Sequence, residues 1–336
     1  MAAAWLLSAG AADAQTVPDK ARALFAEYYE WQLRERPTYA TALGDHRYDD
    51  RLPDYSETAI TRRKAAVVDF ARELTGIDRN ALAGQDRISY DVLAVLLENE
   101  QRSAAVFAEP DAVGADLWLS VTQYSGPQIG FPGLPQLVRI SRFESVPDYE
   151  NYVKRLSAVP VLLEQLQAGL RRAMARGRLP PRVVVRRVPE QIDALLVADF
   201  AANALYAPFR RFPERVPAAD RERLAAMARS ALTDKVLSAF RDLRAFYVAQ
   251  YLPACRETSG AASRPSWPKA YAAAVASQTT TSLTPGEIHE LGLKEVARIS
   301  GEMDALVRRI GFQGTRAEFA KWLGSAPATS KRTSTT

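Results

Sequence analysis

The stretch Thr279–Phe312, TTTSLTPGEIHELGLKEVARISGEMDALVRRIGF, carries the clearest helix signals in the chain. Thr284 suits the N-cap, Pro285 the first helical position, and Glu287 the third position of a capping box. Gly311 suits a left-handed cap at the other end. Apolar residues recur between these ends at intervals of mostly three and four, which predicts one long helix with a buried face. They are Ile288, Leu291, Val296, Ile299, Met303, Leu306 and Ile310.

The same stretch contains a pair of residues, His289-Glu290, that is also found in zinc peptidases. A zinc-peptidase helix needs a second histidine four residues after the first, so that both imidazoles project from one face. Leu293 occupies that position, and the other histidine of the chain, His46, is far away in sequence. The residues therefore predict no metal ligands and no catalytic set in this chain.

Composition indicates a soluble, globular protein. Apolar residues make up 47% and charged residues 25% of the 336 positions, as in ordinary folded domains. The net charge of +5 comes from scattered arginines, and no basic run is interleaved with aromatic residues as a nucleic-acid groove requires. No segment reaches the roughly 18 apolar residues of a membrane span. We expect no nucleic-acid partner, no membrane span and, with a single cysteine, no internal disulfide.

The remaining periodic segments predict an all-α fold, a multi-helix array without a sheet. Ser56 suits the cap of a helix that runs to Leu74. The other predicted helices are 21–34, 85–102 with Ile88, Val92, Val95, Leu96 and Asn99 along one side, 148–176, 189–210, 218–255 and 267–277, with a short extended piece at 183–185.

One segment, Ala112–Pro135, interrupts the helical pattern. It is rich in glycine and proline and carries Trp118, Tyr124 and Phe131. Long ordered loops in regular domains often carry function, and aromatic and amide side chains suit the wall of a cleft. A buried packing loop is the alternative.

The first fourteen residues, MAAAWLLSAGAADA, resemble the end of a secretory signal peptide with a truncated start. Ala12-Asp13-Ala14 has the small-x-small pattern of a cleavage site, so cleavage would fall between Ala14 and Gln15. The mature protein would then be periplasmic or secreted. A frayed apolar tail is the alternative.

Several strings resemble the bacterial domain-of-unknown-function 885 family. They are PTYATALGDHRYDDRLPDYS at 37–56, GFPGLPQ at 130–136, DYENYVKRLSAVP at 148–160, YLPACRETSG at 251–260 and, most specifically, TTTSLTPGEIHELGLKEVARISGEM at 279–303. The resemblance runs from about 22 to 322 and implies an exported, mostly helical protein that is similar to gluzincin-type zinc metallopeptidases.

For a full-length member, the resemblance implies a peptide substrate and a zinc ion. The zinc ion would be bound by a His-Glu-x-x-Pro-Gly-His motif. No position of this chain matches that motif, so no catalytic or metal-binding residue is carried over and no cofactor is assigned to the chain. What carries over is the helical scaffold, with Gln123, Tyr124 and Thr280 as substrate-side positions of a cleft.

The chain departs from the family's pattern at its end. Residues 324–336, GSAPATSKRTSTT, contain no apolar side chain larger than alanine or proline, so we expect a disordered, out-of-frame tail after an incomplete helical domain at 15–323. A frameshift or truncated gene would explain it, and the missing partner would be the C-terminal half. Surfaces that pack on that half, including the far side of the 288–310 helix and the 118–131 loop, would be exposed.

Two classes of function remain open from the sequence. One is the N-terminal scaffold of a zinc-dependent hydrolase, inactive by itself. The other is a non-catalytic helical module of the cell envelope that binds peptides or a protein partner. A zinc motif encoded downstream would favour the first class.

Overall fold

The computed structural model describes residues 16–106, 121–137, 143–197, 199–259 and 267–325. Their regular structure is helical, and the β-type pairing among them is confined to two isolated bridges. The predicted all-α fold is confirmed. The predicted signal segment at 1–14, Trp118 and most of the predicted tail lie outside the described residues.

Fifteen α-helices are described, several of them only one turn long. They are α1 (Val17–Glu35), α2 (Pro37–Ala42), α3 (Glu57–Thr75), α4 (Gly84–Val106), α5 (Pro127–Gly130), α6 (Leu134–Leu137), α7 (Val146–Ser157), α8 (Val159–Ala175), α9 (Val188–Asp193), α10 (Ala218–Ser230), α11 (Leu237–Phe246), α12 (Leu252–Ala254), α13 (Trp267–Thr279), α14 (Pro285–Arg309) and α15 (Arg316–Ser325).

The chain divides into two compact units, Met1–Ala270 and Tyr271–Thr336. Within the first unit, α1, α3 and α4 pack around Trp31, Phe70 and Leu97. A larger core joins α7, α8, α10 and α11 to the segment that follows residue 120, with Leu163 and Phe240 fully buried. Ring stacking contributes to this core, since Phe131 meets Phe240 edge to face with centroids 5.7 Å apart.

The predicted helix at 218–255 is a nearly continuous helical run with two π-helical segments, at 231–236 and 247–251. Such bulges rotate the residues that follow relative to a regular helix. The run ends beside Cys255, which is 3% exposed, and burial raises the pKa of its thiol to about 11. This environment is that of an unreactive structural cysteine.

The predicted N-terminal signals of α3 and α14 are confirmed. The Ser56 side chain accepts from the backbone N–H of Ala59. The Thr284 hydroxyl oxygen accepts from the N–H of Glu287, and the Glu287 carboxylate accepts from the N–H of Thr284. These contacts satisfy N–H groups that a helix start leaves unpaired.

The prediction that α14 buries its apolar face is wrong for the structure. From Val296 to Ile310, each of the apolar residues named in that prediction is 45–65% exposed. Val307, which the prediction did not include, is buried at 6% exposure. Periodicity specifies an amphipathic helix, but it does not specify what covers the apolar face.

A similar difference affects α4, where Ile88, Val92 and Val95 are exposed. Leu93 and Leu97 instead face α1 and α3. The apolar side that the sequence pattern indicated is therefore not the side that the first unit buries.

Three predictions for segments between residues 112 and 210 are also corrected. The predicted helix 189–210 consists of the short α9 followed by 3₁₀ turns, in which Asn203 donates its side-chain amide to the Leu195 carbonyl at 2.9 Å. The predicted extended piece at 183–185 is largely a 3₁₀ turn. In the described part of the 112–135 loop, residues 127–137 are short helices, and Phe131 is fully buried rather than exposed.

Candidate functional site

The described part of the predicted functional loop begins with a closed turn at 122–125. The Thr122 N–H donates to the Ser125 carbonyl at 3.0 Å, and the Ser125 N–H donates back to Thr122 at 3.3 Å. The two hydroxyls lie 2.9 Å apart. These contacts present Gln123 and Tyr124 together at the tip of the turn.

Two glutamines that the sequence analysis missed hold this turn in place. The Gln128 amide donates to the carbonyls of Thr122 at 2.7 Å and Ser125 at 3.0 Å. The Gln191 amide, on α9, donates to the Gln123 carbonyl at 2.9 Å. The Gln123 N–H donates to the Val184 carbonyl at 2.9 Å. We call residues 122–128 together with Gln191 the glutamine-anchored turn.

Gly126 follows the turn and adopts the backbone conformation that joins it to α5. Its φ of 117° lies in a region that side-chain-bearing residues rarely adopt. Val121, just before the turn, accepts from the Tyr247 hydroxyl at 3.1 Å, which ties the turn to the π-helical segment in the core. The turn is therefore a rigid surface feature built on the core.

Two polar side chains of the turn, Tyr124 and Gln128, differ in exposure, and of these only Tyr124 is accessible to a ligand. Tyr124 is 79% exposed on this fixed backbone. Gln128 is 3% exposed, and its Oε1 atom has no hydrogen-bond donor within the described residues. A rigid exposed phenol offers an apolar ring and a polar tip at small cost in side-chain entropy. The turn suits the wall of a binding site.

Thr280, the third predicted site residue, lies in the second unit, between α13 and α14. Its φ of 52° is left-handed, and its N–H donates to the Ala276 carbonyl at 2.9 Å. This geometry is a helix C-cap, a position that glycine usually fills. The structure brings Gln123 and Tyr124 together on one turn, while Thr280 has a visible structural role as a cap.

The loop after α2, which is polar in sequence, is anchored by a buried arginine. Arg155 of α7 is 1% exposed and donates to Thr41 Oγ1 at 2.8 Å and to the carbonyls of Tyr48 and Arg51, each at 2.9 Å. Thr41 in turn donates to Asp49 Oδ1 at 2.5 Å. Burial lowers the pKa of Arg155, with Asp49 acting in the opposite direction.

His46 belongs to this loop and lies 2.8 Å from Asp49, between Nδ1 and Oδ2. Among the residues that the structure describes, no three His, Cys, Asp or Glu side chains are arranged to hold a metal ion. These residues do not fit a zinc site, which needs three convergent protein ligands.

A solvent-open groove of about 570 Å³ lies elsewhere in the first unit, lined by Trp31, Arg34, Glu35, Pro37, Arg51, Leu52, Asp54, Arg62 and Ala66. Its charges are largely paired, since Glu35 lies 2.9 Å from Arg62 and 3.5 Å from Arg63. Paired charges at a protein surface leave little net field to select a ligand.

The model of the family described as "Bacterial protein of unknown function (DUF885)" matches residues 37–335. This chain belongs to the DUF885 family. The match continues across the segment after 323 that the sequence analysis expected to leave the family's pattern. No curated protein matches the chain.

A solved structure shares the fold of this DUF885 protein. It is the crystal structure of a protein of Colwellia psychrerythraea described as a "putative lipoprotein", with 20% sequence identity and a TM-score of 0.75. The similarity covers 93% of this chain and 55% of that chain. This chain therefore spans about half the length of the solved protein. No helix in the described part of the chain is long and apolar enough to cross a membrane.

Proposed function

We propose that this DUF885 chain is the helical scaffold of an exported, zinc-peptidase-like protein and is inactive by itself. The observation that carries the proposal is the exposed tyrosine on a rigid, glutamine-anchored turn, in a fold whose solved relative is nearly twice as long. The zinc-binding segment would lie in further polypeptide, since the solved relative is nearly twice as long.

In this proposal the glutamine-anchored turn forms one wall of a cleft for a peptide substrate. Gln123 and Tyr124 would contact the peptide, and Gln128 and Gln191 would hold the turn's backbone in place. Side chains on a preordered turn lose little freedom on binding, which favours affinity and correct placement. Export is supported by the signal-like sequence before Gln15 and by the description of the Colwellia protein as a lipoprotein.

The test compares the 336-residue chain with a longer product of the same locus, restored in frame if the DNA requires it. We expect the 336-residue chain to hold no stoichiometric zinc and to hydrolyse no peptide, whereas the longer product does both. Metal analysis and a mixed peptide library are the measurements. Stoichiometric, submicromolar zinc binding by the 336-residue chain, or a longer product that has neither zinc nor hydrolysis, would overturn the proposal.

The role of the turn is tested in the longer product by Tyr124→Ala. Loss of a substrate contact should raise KM several-fold with a smaller change in kcat. Tyr29→Ala is the matched control, because Tyr29 is also exposed but lies on α1. Equal changes in KM for the two substitutions would show that Tyr124 does not contact the substrate.

A second candidate is a non-catalytic helical module of the cell envelope that binds peptides or a partner. The same exposed Tyr124 favours it, since aromatic residues are enriched at recognition sites. Peptide binding by the 336-residue chain, without hydrolysis by any longer product, would favour this candidate over the first.

A further inference from the structure

The second unit carries an uncovered apolar surface along α14. Its residues follow one another at intervals of three and four and therefore lie on one side of the helix. We call this set the α14 stripe: Ile288, Gly292, Val296, Ile299, Met303, Leu306 and Ile310. Val296, near its centre, is 65% exposed. A row of large exposed apolar side chains on one helix is typical of a face that packs against another polypeptide.

Four charged residues of α14 form ion pairs within the unit. Arg298 donates to Glu295 at 2.7 Å and to Glu302 at 2.7 Å. Asp304 pairs with Arg316 of α15 at 2.7 Å, on the side where Val307 is buried. Helix α15 thus covers one edge of α14 and leaves the stripe uncovered within the unit. An apolar partner could approach the stripe without separating an ion pair.

Gly292 supplies an independent observation. Glycine is the least favourable residue in a helix interior after proline, and within α14 it has no visible packing reason. A Cβ atom built at Gly292 would meet no atom within 4 Å; the same is true of Gly286 and Gly301, which lie off the stripe. A small residue on an exposed helix face permits the close approach of a second helix.

We propose that the α14 stripe is the packing face for an amphipathic helix of the zinc-binding segment, the segment that corresponds to the 45% of the Colwellia chain outside the match. This inference rests on the proposed function, because that segment is its occupant. The solved relative supplies the argument for the occupant: in a chain nearly twice as long, further polypeptide is available to cover the stripe.

The experiment compares the same two substitutions in the 336-residue chain and in a longer product of the locus. In the 336-residue chain, Val296→Asp should change Tm by no more than about 2 °C, and Gly292→Ala should raise it, because both sites face water. In the longer product of the locus, Val296→Asp should lower Tm by about 5–10 °C, and Gly292→Ala should also lower it. Val68→Asp is the matched control, since Val68 is exposed on α3 in the first unit; it should behave alike in both chains.

Three results would overturn the inference. The first is a longer product in which Val296→Asp changes Tm by no more than it does in the 336-residue chain. The second is a locus that encodes no further segment in any frame. The third is a 336-residue chain that light scattering shows to be twice its 37.0 kDa mass and that Val296→Asp makes monomeric, because a second copy then covers the stripe. A longer product without zinc in which both substitutions lower Tm would refute the proposed function, and would retain only the packing of the α14 stripe against the further segment.

Discussion

Replacing Arg155 with methionine should destabilise the first unit more than any surface substitution. Methionine retains much of the apolar stem but removes every donor of the guanidinium. The carbonyls of Tyr48 and Arg51 would then lose donors that lie at 2.9 Å, and Thr41 would lose one at 2.8 Å. The buried side chain leaves little room for water to replace them, since Arg155 is 1% exposed.

The magnitude follows from those three contacts. Each buried acceptor left without a donor costs about 1–3 kcal/mol, and breaking a buried charged network costs about 3–5 kcal/mol in total. We therefore expect Arg155→Met to lower the free energy of unfolding by about 3–5 kcal/mol, or Tm by roughly 6–15 °C for a unit of this size. Arg155→Lys should fall between Met and wild type, because an ammonium cannot reproduce the planar fork.

Thermal and urea unfolding followed by far-UV circular dichroism measure this loss. The matched control is Arg241→Met on α11, since Arg241 is exposed and has no ion pair in the described part of the chain. Hydrogen exchange should also accelerate in residues 37–52, which the arginine ties to α7. Equal melting temperatures for Arg155→Met and Arg241→Met would refute the reasoning, as would unchanged exchange in 37–52.

Three further predictions concern single positions. Thr280→Gly should stabilise the second unit by about 1 kcal/mol, because glycine adopts the left-handed φ of 52° without strain; a lower Tm would contradict this. Hydrogen bonds from the backbone N–H and hydroxyl of Thr284 lower the pKa of the Glu287 carboxyl. The contribution of these bonds to the free energy of unfolding is therefore present above about pH 5 and is lost as pH falls through that lowered pKa. Thr284→Ala should therefore reduce Tm at pH 7 but have a smaller effect at pH 3, and a pH-independent difference would exclude a contribution from the Glu287 carboxylate. The Cys255 thiol, with its pKa raised to about 11, should react with a disulfide reagent at pH 8 more than 100-fold more slowly than in urea, and equal rates would show that the site is open.

Local sequence signals predicted helix starts well. Ser56 and the Thr284–Glu287 pair were identified from their residue types and spacing, because a cap is formed within four residues. The prediction of a helix from Pro189 to Arg210 was wrong. The spacing of apolar residues contains no information about side-chain contacts, such as the hydrogen bond from Asn203 to the Leu195 carbonyl. Such a contact stabilises a turn in place of a helix.

Gln123 and Tyr124, named from the family resemblance, remain predictions of substrate-side positions. The residue that fixes the Gln123 carbonyl, Gln191, lies 68 positions later. A single sequence contains no signal for that pairing. Arg155 was missed for a related reason, since an arginine in an amphipathic helix is typical of a solvated face and its partners Thr41 and Tyr48 are more than 100 positions away.

The two units differ in how much of their stability they supply themselves. The first unit contains an extended core around α7, α8 and α11. In the second unit Val307 is the only buried residue of α14, and its other large apolar side chains face solvent or are half-buried. Hydrophobic burial is the main favourable term in folding, so α14 has little of it unless the stripe is covered. The expectation that apolar surface of this chain is exposed therefore applies to the α14 stripe of the second unit. The residues proposed to bind the zinc-binding segment are the same residues that the unit needs to bury for its own stability.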